Sequence, residues 1–399
     1  MLTYLYSFGS KPFDADQPNG PLLQASDGNF YGTSRGGGTH SCRPPDNIPC
    51  GVVFKMTPGG DETVLYSFGA SATDAYGPDA PLIQGKDGAL YGTTASGGTY
   101  GAGTAFRITF DGTYSVLYSF GASPSDGIVP VAALVEAGDG NFYGTTTSGG
   151  ANHCRNIPQS GGNCGTIFKI TPAGVETVLY SFGASPSDGV EPLGSLIQAS
   201  DGNFYGTTID GGANNCASGT NNCGTVFKIT PAAAVTILHS FGTSGADGIA
   251  PQGPVTQGSD GALYGTTPSG GGGTCGSPYG CGTVFRITPA GVETILYAFA
   301  PTSQLDGAGP SPFILQARDG GFYGTARSGG AYQCSSCGTA FRLTPSGVLT
   351  TLYSFGPVNE RPNDPGAGLT LGRDGAFYGV TFSGPIGSIS GTVFKLAVQ

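Results

Sequence analysis

Apolar and polar residues alternate along this chain in short runs, and the runs recur in sets of four. Between residues 193 and 241 they are Leu193–Ala199, Asn203–Thr208, Gly224–Thr230 and Val235–Phe241. A period of two over so few residues predicts β-strands, and no stretch repeats with the 3.6-residue period of a helix. Asp201-Gly202 between the first two runs predicts a two-residue hairpin with positive φ at both central positions. Pro-x-Gly turns such as Pro172-Ala173-Gly174 separate the last two runs of a set.

Three landmarks count the sets independently. Leu-Tyr-Ser-Phe or a close variant begins at Leu5, Leu65, Leu117, Leu179, Leu238, Leu296 and Leu352. Asp-Gly followed by Tyr-Gly spans Asp27 to Gly32, Asp87 to Gly92, Asp139 to Gly144, Asp201 to Gly206, Asp260 to Gly265, Asp319 to Gly324 and Asp374 to Gly379. Gly-Thr-x-Phe-(Lys/Arg) or a close variant places its Phe at 54, 106, 168, 227, 285, 341 and 394. Seven units of four antiparallel strands predict an all-β, seven-bladed β-propeller filling residues 1–399 as one domain. The chain opens with a fourth strand (residues 2–8) and closes with a third strand (391–396), which elsewhere are hairpin partners. Pairing the two ends completes the last blade and leaves no open edge.

Composition narrows the function classes. The 73 Gly and 29 Pro make about a quarter of the 399 residues, near the range of disordered chains. The regular placement of 19 Tyr and 23 Phe argues for turns and strands instead. A formal net charge of −10 argues against nucleic acid as a partner. No apolar run is long enough for a membrane-spanning helix, and the first residues read as a strand rather than a signal peptide. Oligomeric state is not legible.

Ten cysteines fall as local pairs in one recurrent loop, between the second and third strands: Cys42/Cys50, Cys154/Cys164, Cys216/Cys223, Cys275/Cys281 and Cys334/Cys337. The second and seventh units lack both members, and cysteines that come and go together are bonded partners. Five disulfides imply an oxidising location: extracellular, cell-surface or periplasmic. The Cys334-Ser335-Ser336-Cys337 spacing also suits a redox or zinc half-site, but its shared place with the longer pairs favours a disulfide. His40 and His153 beside cysteines lack a second ligand pair, so no metal is expected there.

The run Asp201-Gly202-Asn203-Phe204-Tyr205-Gly206-Thr207-Thr208, with Gly211-Gly212, Gly224-Thr225-Val226-Phe227-Lys228-Ile229-Thr230 and Leu238-His239-Ser240-Phe241, resembles the GloVer tandem repeat of secreted bacterial proteins. The resemblance covers essentially the whole chain. It implies an exported, propeller-like array, often tethered to the envelope, and carries no settled activity. His239 for Tyr, Gly379-Val380-Thr381, and the lack of an anchor after Gln399 depart from the pattern.

In such a ring the cysteine loops and the connections between blades share one face. Six of those connections carry Asp-x-x-x-Pro: Asp14/Pro18, Asp74/Pro78, Asp126/Pro130, Asp188/Pro192, Asp247/Pro251 and Asp306/Pro310. Six carboxylates near an axial mouth suit Ca²⁺, but a residue demanded in six units more readily caps its own turn; no cofactor is expected. A single binding site should instead lie where repeats differ. Seven basic residues follow the motif Phe and read as structural: Lys55, Arg107, Lys169, Lys228, Arg286, Arg342 and Lys395. Of the other nine, Lys11, Arg35, Arg43, Arg318, Arg327, Arg361 and Arg373 fall in the sixth, seventh and first units, with Arg318 and Arg373 in the hairpins of the opposite face. Arg35, Arg327 and Phe382 share one repeat position, and with Arg361, Glu360 and Lys11 they form the candidate ligand site. Arginine matches carboxylate or sulfate groups, and an aromatic matches a sugar face.

These features favour a secreted or cell-surface binding module, with an anionic glycan as the ligand class. A polysaccharide hydrolase or lyase stays open through Glu136 and Asp210, two carboxylates that break the repeat, although the sequence does not bring them together. A structural envelope component is the third reading. No histidine-based nucleophile or Gly-x-Ser-x-Gly elbow is evident, so enzymatic activity is not favoured.

Overall fold

The computed structural model describes residues 1–43, 48–71, 73–154, 164–214, 223–273, 275, 280–300, 305–332, 337–356, 363–383 and 390–398. Seven antiparallel blades form the ring. In the second blade, Ile83–Gln84, Leu90–Thr94, Thr104–Ile108 and Tyr114–Ser119 pair in that order from the axis outward. The seventh blade joins Leu369–Leu371, Phe377–Thr381 and Thr392–Leu396 to Leu2–Ser7, with Leu2 opposite Leu396 and Ser7 opposite Thr392. The N-terminal strand therefore closes the ring.

The recurrent motifs each have a packing reason. In the fourth blade Gly206 lies opposite Phe227 across the second and third strands. A Cβ on Gly206 would sit 2.6 Å from Phe227 Cζ and 2.9 Å from Leu196 Cδ2, so the ring occupies the space of the missing side chain. Every other blade repeats this contact, from Gly32 over Phe54 to Gly379 over Phe394. Tyr205 donates its hydroxyl to Asp201 Oδ2 at 2.7 Å, and Asp201 Oδ1 accepts the Asn203 N–H at 3.1 Å. The Tyr-Gly and Asp-Gly signatures are thus two ends of one hairpin.

That hairpin differs from the two-residue turn expected. Gly202 N–H donates to Ala199 O at 2.9 Å, and Gly202 alone takes positive φ, at 80°. The loop has three residues, with glycine in the left-handed position after an Asx-type turn held by Asp201. The inner strand also shrinks from the expected Leu193–Ala199 to Ile197–Gln198. Before it the chain leaves for the neighbouring blade, and a Cβ on Gly194 would meet Gly253 O at 2.5 Å. One element was not foreseen: the incoming connection pairs with the end of the second strand, as Gly189–Val190 does with Asp210–Gly211.

The core lies between blades. Phe182 of the third blade meets Phe227 of the fourth at 5.2 Å between centroids, and Tyr143 stacks on Phe204 at 4.2 Å. Those residues and Ile167, Leu196 and Ile229 form one apolar cluster, and each neighbouring pair of blades has its own. Hydrogen bonds cross the same seams. Gln198 of the fourth blade accepts Gly138 N–H at 3.0 Å from the third, and Gln257 of the fifth accepts Ser200 N–H at 2.9 Å from the fourth.

Cys42–Cys50, Cys154–Cys164 and Cys275–Cys281 are disulfides. Cys223 and Cys337 are also disulfide-bonded, and their expected partners Cys216 and Cys334 lie outside the described residues. Among the described residues no helix is long and apolar enough to cross a membrane.

Candidate functional site

The six Asp-x-x-x-Pro carboxylates are turned toward the outer strands. Tyr118 donates its hydroxyl to Asp126 Oδ2 at 2.9 Å, and the same oxygen accepts Gly121 and Ala122 N–H, each at 2.8 Å. Tyr6 does the same to Asp14, Tyr66 to Asp74, Tyr180 to Asp188 and Tyr297 to Asp306. These carboxylates brace their own connections, the turn role that the repetition favours. The proline four residues on packs against the glycine that opens the third strand of the preceding blade, as Pro130 does against Gly103. The basic residues after the motif Phe pair with hairpin aspartates, for example Arg107 with Asp87 at 2.8 Å and Lys395 with Asp374 at 2.7 Å.

The symmetry-breaking residues fall into separate places on the loop face. Arg327 and Phe382 come together, the guanidinium carbon 5.6 Å from the ring centroid. Asp364 faces Arg327 Nε at 3.8 Å, and burial holds its carboxyl above the ordinary range despite that cation. Arg35 reaches the other way, from the first blade to Asp79 of the second, at 2.9 Å. Its side chain is 65% exposed while that of Asp79 is 7% exposed, so a buried anion anchors a cation that stays accessible. Burial raises the Asp79 carboxyl, and Arg35 and Asn19 offset the rise. Lys11 lies apart over the Tyr6 ring at 5.2 Å, donating to Glu62 O at 3.3 Å. Glu360 and Arg361 lie outside the described residues.

Arg35 and Asp79 line a cavity of about 320 Å³ with Tyr76, Ile48, Pro49, Ala95 and the Cys42 side of a disulfide. The combination of this pair with Tyr76 occurs in these blades alone among the described residues. The Arg35 position holds Ala95, Thr147, Ile209 and Pro268 in the next four units, and the Tyr76 position holds Asp16, Ile128, Val190, Ile249 and Ala308. Sequence reading found Arg35 but missed Asp79 and Tyr76. Aligning the residues around each Asp-x-x-x-Pro proline exposes both as departures.

Of the two candidate catalytic carboxylates, Glu136 occupies the glutamine position of the inter-blade hydrogen bonds. It accepts Lys86 N–H at 2.7 Å, with Lys86 Nζ 3.8 Å away. Asp210 instead shares a hydrogen bond with Glu191 on the loop face; burial and then mutual repulsion raise the Glu191 carboxyl, and burial raises that of Asp210. Two carboxyls in direct contact are closer than the about 5–9.5 Å that glycosidases place between theirs. The axial cavity, about 570 Å³, is lined largely by apolar groups such as Pro21, Pro81, Ile83, Val135, Ile197 and Phe313.

Two solved propellers share the architecture. A 6-phosphogluconolactonase homologue from Bacteroides uniformis is 13% identical, with a TM-score of 0.50 over 85% of this chain and 87% of that one. The periplasmic gluconolactonase of Pseudomonas aeruginosa is 17% identical, with a TM-score of 0.51 over 95% of this chain and 88% of that one. At these identities the likeness is one of fold. No curated protein matches the sequence. The model of the Gloeobacter/Verrucomicrobia repeat matches residues 1–157, 45–216, 157–303 and 215–399, and with the seven blades it encodes, the chain belongs to that repeat family.

Proposed function

We propose that the chain is an exported, non-catalytic glycan-binding propeller, and that the groove of the first and second blades is its binding site. The carrying observation is the half-open Arg35–Asp79 pair beside Tyr76 and Ile48 in a cavity of about 320 Å³, large enough for one or two sugar rings. A paired carboxylate and guanidinium offer acceptors and donors to neighbouring hydroxyls, and an aromatic side chain supplies apolar area with a polar tip. Asp79 and Asp364 each offset an arginine charge. The favoured ligand is therefore a neutral, polyhydroxylated sugar rather than a polyanion. The disulfides support an oxidising location, periplasmic or extracellular.

Affinity electrophoresis through neutral and acidic polysaccharides, comparing wild type with Tyr76→Ala and Arg35→Gln, tests this reading. Retardation by a neutral glycan is expected, with Kd raised at least tenfold in each variant, about 1.4 kcal/mol. Equal retardation of wild type and variants, or none in any gel, refutes the assignment. Release of reducing ends would favour a hydrolase instead.

A further inference from the structure

Six outer strands carry tyrosine two residues before their last phenylalanine: Tyr6, Tyr66, Tyr118, Tyr180, Tyr297 and Tyr353. The fourth blade has His239. The exchange changes the chemistry of the position. A phenol supplies a proton to the loop carboxylate beneath it, whereas a neutral imidazole also offers a lone pair. His239 Nε2 lies 3.4 Å from Asp247 Oδ2 and makes no hydrogen bond there.

A third group enters from the fifth blade. Glu293, the first residue of the outer strand Glu293–Ala298, stands beside Asp247 and His239; burial first, then the Asp247 charge, raises its carboxyl. One ligand atom from each of His239, Asp247 and Glu293 lies within 4.8 Å of the others. Asp247 is 4% exposed, and both His239 Nε2 and Glu293 Oε1 are buried without hydrogen-bond partners. The repeat sets a glutamate beside the loop aspartate twice more, Glu62 by Asp14 and Glu176 by Asp126. In those two seams tyrosine fills the third position and donates to the aspartate.

We propose that His239, Asp247 and Glu293 bind a divalent transition ion of the zinc class at the seam of blades four and five. A nitrogen with two carboxylate oxygens is a donor set of that class, whereas Ca²⁺ takes six to eight oxygens. A tetrahedral ion with bonds of about 2.1 Å holds its ligand atoms about 3.4 Å apart. The His239–Asp247 separation already matches, and Glu293, whose ligand atom lies within 4.8 Å of the other two, reaches the ion by a side-chain adjustment of at most about 1.4 Å. Water completes the shell. The ion would satisfy both unpartnered atoms and tie two blades together.

Titration of the full chain with Co²⁺, followed by visible absorption and displaced with Zn²⁺, tests the site without reference to any glycan. His239→Tyr restores the residue used by the other six blades and so preserves the fold. Wild type is expected to take up one equivalent of Co²⁺ and to gain thermal stability with Zn²⁺. His239→Tyr and Glu293→Gln are each expected to weaken uptake at least tenfold, while His40→Ala/His153→Ala leaves it unchanged. Equal uptake in His239→Tyr and wild type, or no saturable uptake in wild type, overturns the proposal.

Discussion

The pairing of Gly206 with Phe227 makes a quantitative test of how the repeat packs. A Cβ at Gly206 would lie 2.6 Å from Phe227 Cζ, about 1 Å inside an ordinary carbon–carbon contact. Phe227 is fully buried and rests edge-on against Phe182, so its ring has no free direction to move. Overpacking of this kind costs about 1–3 kcal/mol, and alanine recovers about 0.5–1 kcal/mol over glycine in a strand. Gly206→Ala should therefore lose about 1–2 kcal/mol. Phe227→Leu removes the obstructing end of the ring and should cost about 2 kcal/mol, between the smallest and largest core truncations. The double variant should be less destabilised than the sum by about 1 kcal/mol, because the new methyl enters the space the ring vacates. Gly202→Ala is the control. Its φ is 80° and no atom lies within 4 Å of its Cβ position, so its cost of about 1–2 kcal/mol is conformational and additive with Phe227→Leu. Urea unfolding followed by tyrosine fluorescence and far-UV circular dichroism gives the four free energies. A neutral Gly206→Ala, or a double variant additive within about 0.5 kcal/mol, would refute the packing argument.

Two further predictions follow from the seams. Glu176 is pushed up to about 7, by burial and then by Asp126, from an ordinary 4.5. The folded state then binds more protons than the unfolded one between those values, so this group's contribution is complete below about pH 4.5 and is lost as pH rises through about 7. Glu176→Gln should flatten the fall in stability between about pH 5 and 8; an unchanged pH profile would count against a buried, protonated Glu176. Deleting residues 1–8 uncovers the Thr392–Leu396 edge and removes Phe8, which is 2% exposed in the core. Size-exclusion chromatography should show self-association, reversed by a synthetic peptide of the deleted strand, and a monodisperse monomer would contradict closure by that strand.

The architecture was legible because each blade repeats the same few spatial demands. Gly206 must leave room for Phe227, and Asp201 must meet Tyr205, so the spacing of these residues encodes the strand pairing directly. The turn type was less legible, since Asp-Gly serves both two- and three-residue loops and only the Asp201 side-chain bonds distinguish them. The candidate groove was half visible. Arg35 stood out as a charge, whereas Asp79 reaches it from 44 residues away across a blade seam, a relation no local pattern carries. Phe382 and Arg327 met as neighbouring units should, but Asp364 faces the arginine, a partner the repeat pattern did not indicate. Glu136 misled because an acid in place of glutamine looks catalytic, yet its carboxylate oxygen accepts the same kind of backbone hydrogen bond.

Closing the ring with its first strand has a kinetic consequence. Contacts within a blade join residues close in sequence, but Met1 meets Ala397. For a flexible chain, closing about 400 residues instead of about 10 costs roughly 3 kcal/mol more. Stacking of the intervening blades must bring the ends together first, so closure comes late in folding. Until then Leu2–Ser7 waits with its backbone unpaired, a segment of Leu, Thr, Tyr and Ser with no charge and no proline. Such a segment readily adds to any open strand edge, including that of another molecule in the same state. The interval between emergence of the first strand and arrival of the last is the period in which this protein most needs to be kept apart from its own copies.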